Sequence, residues 1–180
     1  MAQEPGGGRP SAPMGVEVET LEPGNGKTFP QEGNRLEVHY TGRLVSDGSV
    51  FDSSRGRGAP LSLTLGSGQV IRGWEEGLAR VSLGEKAKLR ITADFAYGER
   101  GYGDGSKIPP NADLEFEVEL VSINGKARAD LDQFERQLDG WIAEKLEAYG
   151  SDAELKKKYP ERKKYEDHLR KKKDKKMMHI

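Results

Sequence analysis

Between Val16 and Ile123, apolar residues return at every second position in five separate runs. These are Val16 and Val18; Leu36, Val38 and Tyr40; Leu61, Leu63 and Leu65; Ala87, Leu89 and Ile91; and Leu114, Phe116, Val118 and Leu120. Successive side chains of a strand point to opposite faces, so each run predicts a half-buried strand with one face on a core and the other in water. PGNGK at 23–27, SDGS at 46–49 and DGS at 104–106 supply Gly, Asn and Asp for the tight turns between them. IRGWEEGLARV at 71–81 breaks the pattern, because Ile71, Trp74 and Leu78 recur at helical spacing. One short helix covering one face of an antiparallel sheet is an α+β, two-layer fold.

The flanks read differently. Residues 1–14 are rich in Gly and Pro and carry no hydrophobic period, which predicts a flexible leader ahead of a domain at 15–125. Over 126–150 the period becomes helical: Leu131, Phe134, Leu138, Trp141 with Ile142, Leu146 and Tyr149 form an apolar stripe on an acidic helix, interrupted by Gly140. Gly150 is expected to stop that helix. SDAE at 151–154 matches a capping box, with Ser151 as N-cap and Glu154 three residues on, and opens the basic helical tail at 151–180. Pro160 suits the first turn of a last helix whose apolar content, mainly Tyr165 and Leu169, is thin. A stripe holding Phe134 and Trp141 must be covered, either by folding back on the preceding domain or by a protein partner engaged through residues 127–180.

Composition removes several classes of chemistry. The chain has 180 residues, of which 34% are hydrophobic and 33% charged, enough for one core with appendages. It has no cysteine, which excludes disulfides, thiol nucleophiles and thiolate metal sites. His39, His168 and His179 lack metal-ligand spacing, and Ser53, Ser54 and Ser67 lack the strand-to-helix elbow of a hydrolase nucleophile. GYGDG at 101–105 misses the third glycine of a phosphate loop and is followed by Ile-Pro-Pro instead of a helix. No metal or cofactor is expected. No stretch approaches the roughly 20 apolar residues of a membrane span, and the N-terminus lacks a signal-peptide core, so a cytoplasmic or nuclear protein is expected. The net charge of -1 hides an asymmetry: residues 1–126 carry 14 Lys and Arg against 18 Asp and Glu, whereas 151–180 carry 12 against 6. The tail favours an acidic partner, while its six interspersed acids count against a dedicated nucleic-acid arm.

The strings VHYTG from Val38, FDSSRGRG from Phe51, LGSGQVIRGWEEGL from Leu65, KLRIT from Lys88, FAYGERG from Phe95 and IPPNADLEFEVEL from Ile108 stand in the order and near-spacing of one family. Over about residues 15–124 the chain resembles the FK506-binding (FKBP) immunophilins, which are peptidyl-prolyl cis/trans isomerases. The resemblance implies a five-stranded, strongly bent antiparallel sheet wrapped around the helix at 71–79, with a shallow apolar pocket between them. Matched motif by motif, the pocket would be lined by Tyr40, Phe51, Asp52, Arg57, Leu61, Val70, Ile71, Trp74, Tyr97, Ile108 and Phe116.

In that family the tryptophan matching Trp74 is the floor, the Ile71 N–H and Tyr97 hydroxyl donate to ligand carbonyls, and Asp52, held by Arg57 and Tyr40, orients the amide electrostatically. Tyr40, Asp52 and Tyr97 are therefore the catalytic candidates. The implied ligands are proline-containing peptides and proteins and the macrolides tacrolimus and rapamycin. Two departures stand out: Leu61 and Leu63 occupy positions where phenylalanine is common, and the Gly-rich loop at 98–107 is longer than in the smallest members. The extension also admits a different reading, a binding module anchored in a larger assembly by its C-terminal helices.

Overall fold

The computed structural model describes residues 15–177, with side chains as far as Lys172; the leader expected at 1–14 lies outside the described residues. The elements are β1 (Val16–Glu22), β2 (Arg35–Leu44), β3 (Val50–Ser53), β4 (Leu61–Thr64), α1 (Arg72–Leu78), β5 (Lys86–Ile91), β6 (Leu114–Ile123), β7 (Lys126–Ala127), α2 (Arg128–Ser151), α3 (Ala153–Lys158) and α4 (Arg162–Met177).

All strand pairings are antiparallel, in the order β1-β5-β6-β2-β3, with β4 also on β2 and β7 on β6. Residues 41–43 of β2 pair with β3 and residues 35–38 pair with β4. The two short strands thus lie in line and share one edge of β2, cut by an excursion at 54–60. Counted as one edge, they complete the five-stranded sheet. The register shift between Glu37 and Val38 in the β2–β6 ladder is a bulge of the kind that bends a sheet.

The inward positions of the alternating runs make the core: Leu36, Val38, Ala87, Leu89, Leu114, Val118 and Leu120 are fully buried, together with Leu78 of α1. Two glycines allow α1 to approach so closely. A Cβ on Gly73 would fall 2.3 Å from Ile91 Cγ2, and one on Gly77 would fall 2.9 Å from Leu89 Cδ1. They stand one turn apart on the same helix face, so α1 lies flush on β5. The outer face carries charge in rows: Glu17 faces Arg90, which faces Glu115, and Glu19 faces Lys88, which faces Glu117. Such exposed cross-strand pairs set register more than they stabilise.

Residues 129–180 form a separate compact unit. Here two expectations need correction. Helix α2 does not stop at Gly150 but runs through Ser151. Gly150 is not among the glycines with positive φ, so it takes no left-handed stop conformation. The cap of α3 is Asp152, not Ser151: its carboxylate accepts from Glu154 N at 2.9 Å and Leu155 N at 3.0 Å, while the Ser151 hydroxyl donates back to Ala148 O.

The α2 stripe is covered by the unit's own last helix. Leu138, Ile142 and Tyr149 pack with Tyr165 and Leu169 of α4, and Phe134, Trp141, Leu146, Leu155 and Tyr159 surround them. Tyr149 stacks on Tyr165 with centroids 5.4 Å apart and donates its hydroxyl proton to Tyr159 O at 2.7 Å. Arg170 ties α4 to α2 through Asp139 at 3.1 Å.

Candidate active site

Alternation along β2 turns Tyr40 to the same side as Leu36 and Val38, and alternation along β6 does the same for Phe116. β3 brings Phe51 and Asp52, α1 brings Trp74, and the segment before α1 brings Val70 and Ile71. Together with Leu61, Gln69, Tyr97 and Tyr102 they line an open depression of about 420 Å³. Its floor is aromatic. Trp74, only 3% exposed, meets Tyr40 edge-on at 5.1 Å and Phe116 at 5.3 Å, and Phe116 meets Phe51 at 5.6 Å. Each such edge-to-face pair is worth about 0.5–1.5 kcal/mol beyond its buried area. Gly42 makes room for this: a Cβ there would lie 2.7 Å from the Phe51 ring and 2.8 Å from that of Phe116.

One charged group stands at the wall. The Tyr40 hydroxyl donates to Asp52 Oδ2 at 2.5 Å; Arg57 donates to Asp52 Oδ1 at 2.8 Å and to the Tyr40 oxygen at 2.7 Å; Ser53 N donates to Asp52 Oδ1 at 2.9 Å. Burial pushes the Asp52 pKa upward, but the Tyr40 and Arg57 hydrogen bonds, the Arg57 charge and the Ser53 N–H outweigh it and hold the carboxyl below its ordinary value. Burial and then the Asp52 carboxylate push Tyr40 up, with Arg57 offsetting part of the rise. The wall therefore presents a fixed anion beside a protonated phenol at neutral pH.

Two donors remain available. Glu75 of α1 accepts from Gly66 N at 2.6 Å and Gly68 N at 3.2 Å, and Gln69 accepts from Thr64 N at 2.8 Å, so the segment leading into α1 is pinned at both ends. It delivers Ile71 as the N-cap of α1, and no described residue accepts from the Ile71 N–H. The Tyr97 hydroxyl likewise has no partner among the described residues; burial first, then Tyr102 and Asp52, push its pKa up and keep it a donor. Tyr97 stands against Tyr102 at 5.2 Å.

The sequence-derived set gathers here with two exceptions. Arg57 stands behind Asp52 as its counterion, and Ile108, 2% exposed, lies under the rim, where reciprocal backbone bonds of 2.9 and 3.1 Å pair it with Tyr102. Gln69 and Tyr102 line the depression without having been singled out from the sequence. Leu61 is in the wall, but Leu63 is buried in the core. No nucleophile is set up: the Ser54 hydroxyl is 1% exposed and is occupied by Tyr40 N and His39 Nδ1. Among the described residues there is no cluster of three or more metal-ligating side chains, and no helix is long and apolar enough to cross a membrane.

Comparison with known proteins bears on this geometry. A family model described as FKBP-type peptidyl-prolyl cis-trans isomerase matches residues 26–121. A peptidyl-prolyl cis-trans isomerase of Schizosaccharomyces pombe is 54% identical over 113 residues, covering 63% of this chain and 98% of the relative. FK506-binding protein 1 of Yarrowia lipolytica is 53% identical over 111 residues, 62% of this chain and 100% of the relative. The protein of the same name from Rhizopus delemar is 55% identical over 111 residues, again 62% and 100%.

Proposed function

The chain belongs to the FKBP-type peptidyl-prolyl cis-trans isomerases, and from that premise we propose how its own residues speed rotation about X-Pro bonds and what the depression binds. Rotation must break amide resonance against roughly 18–20 kcal/mol, yet no covalent bond is made or broken. The catalyst needs only to hold the twisted amide better than either planar isomer. A twisted carbonyl has lost charge separation, so an apolar cleft costs it less desolvation than it costs the planar forms.

The proline ring rests on Trp74 between Tyr40, Phe51 and Phe116. The Ile71 N–H and the Tyr97 hydroxyl donate to flanking carbonyls and fix the direction of the peptide. Asp52 orients the dipole of the rotating amide; kept ionised by Tyr40 and Arg57, it transfers no proton. The observation that carries these roles is the joining, in one depression, of an aromatic floor, a fixed carboxylate and two donors without internal acceptors. Tacrolimus- and rapamycin-type macrolides are proposed to occupy the same groups, a reading supported by the relatives named FK506-binding protein. Exchange NMR on a Leu-Pro peptide tests the assignment. Catalysed cis/trans exchange that Asp52→Asn weakens and rapamycin abolishes is expected; exchange that rapamycin leaves untouched overturns the site.

A second reading draws on one observation: residues 129–180 fall outside the family match and pack a core of their own. In it the isomerase domain docks a Pro-containing segment while the extension attaches it to an assembly. The relatives match over 98% or more of their own length while covering 63% of this chain or less, so their activity does not call for the extension. Deleting 129–180 is expected to leave peptide turnover within about twofold. Lost turnover with retained fold would tie the extension to catalysis instead.

A further inference from the structure

The C-terminal unit turns its apolar side chains inward, and beside the acidic α2 the surface of α3 and α4 is cationic. Residues 156–176 hold 12 Lys and Arg against 4 Asp and Glu. Lys156, Lys157 and Lys158 close α3, and Arg162, Lys163 and Lys171 follow on α4; all six are exposed. No carboxylate among the described residues lies within ion-pair distance of any of them. Within this stretch only Lys164, at 2.7 Å from Glu161, and Arg170, shared by Asp139 and Glu166, are so paired.

The acids interspersed in the tail weigh less than their number suggests. Asp152 is used as the cap of α3, Glu161 holds Lys164 and Glu166 holds Arg170. Three of the six thus have local tasks and leave the neighbouring lysines unneutralised.

The chemistry of the surface selects its partner. Protein interfaces draw on buried aromatic and arginine anchors and are depleted in lysine. Here Tyr149, Tyr159 and Tyr165 are engaged with one another, and the six exposed cations are lysine but for Arg162. Lysine is a compact point charge that meets a phosphate oxygen from any direction without needing the planar match of a guanidinium. Among the residues of α3 and α4 whose side chains are described, no large apolar one stands exposed to stack on a base. We propose that the lysine-rich surface of the end of α3 and of α4 binds the phosphate backbone of nucleic acid without reading base sequence.

Backbone binding of this kind is driven by counterion release, so its salt dependence reports how many phosphates are neutralised. The test is fluorescence anisotropy of the full chain with labelled DNA and RNA duplexes of unrelated sequences, which also distinguishes the two sources of phosphate. Binding at low salt, indifferent to sequence, should weaken roughly a thousandfold between 50 and 200 mM salt if all six cations engage. Lys156→Gln, Lys157→Gln and Lys158→Gln combined should bind at least about tenfold more weakly and lower the salt slope by about 2 to 3, with isomerase turnover unchanged. Lys163→Gln with Lys171→Gln gives an independent pair if the triple variant loses helix by circular dichroism. No binding at low salt, binding that both variants leave intact, or tighter binding of polyglutamate or of phosphatidylserine vesicles than of either duplex would overturn the proposal.

Discussion

The two units of this chain bury apolar surface in opposite ways. In residues 15–128 the contacts are long-range: β1 pairs with β5 and β2 pairs with β6, so Val16 meets Ile91 and Leu36 meets Ile123. In residues 129–180 three consecutive helices fold on one another, and Arg170 finds Asp139 only 31 positions back. Long-range pairing is slow to assemble but over-determines each side chain, which suits a site whose aromatic rings must meet edge-on within a narrow tolerance. Local helix packing fixes less and serves a surface that needs only charge in roughly the right place.

The largest effect that would sharpen this contrast is Trp74→Ala. Trp74 belongs to the core and to the floor at once, so the variant should lose about 3–5 kcal/mol of stability in the isomerase unit and nearly all turnover. Tyr149→Ala should melt helix in the second unit, seen as reduced far-ultraviolet ellipticity, while turnover persists. Lost turnover in the Tyr149 variant would break the division.

Asp52→Asn comes next, with turnover expected to fall roughly tenfold while the fold stays intact, since a charged acceptor becomes a neutral one still within reach of Tyr40 and Arg57. Unchanged kcat/KM would remove the carboxylate from the mechanism. Glu75→Gln should act through the loop. The amide oxygen cannot serve both Gly66 and Gly68, so at least one of those N–H groups should lose hydrogen-exchange protection and turnover should drop roughly threefold to fivefold. Lost protection without lost turnover would make Glu75 a purely structural anchor.

The smallest expected effect is with pH. Asp52 is held below its ordinary pKa, so its contribution to stability is fully present above about pH 4 and is lost as pH falls through its lower folded value; Tyr40 and Tyr97 are pushed up, so they stay protonated beyond about pH 10. Turnover should be flat from about pH 5.5 to 8.5. A bell centred near neutrality would indicate proton transfer.

Alternation made β2, β5 and β6 legible, because each buries one complete face. β3 was not, since four residues containing Val50 and Phe51 are too short to show a period and are strand only because β2 pairs with them. The glycines at 73 and 77 carry no signal in the sequence; their importance emerges only when β5 is laid against them. Cover for the α2 stripe was missed because Tyr165 and Leu169, one turn apart, are too sparse to register as an apolar face. Gln69 and Tyr102 carried no local signal either. The first reaches the depression through its bond to Thr64 and the second through its pairing with Ile108, both products of tertiary geometry.

The interrupted edge has an engineering consequence. β3 and β4 each hold their own register on β2, and the segment between them is fixed in its first half, by the buried Ser54 on Tyr40, by Arg55, which meets Glu119 at 2.9 Å, and by Arg57 on Asp52. Beyond Arg57 the chain turns at Gly58, whose surroundings are open to 4 Å, before β4 begins. Residues grafted there would be borne by neither ladder. A peptide tag, a loop from another protein or a second binding element could enter the rim of the site at that point while the sheet keeps its alignment and Asp52 keeps its counterion.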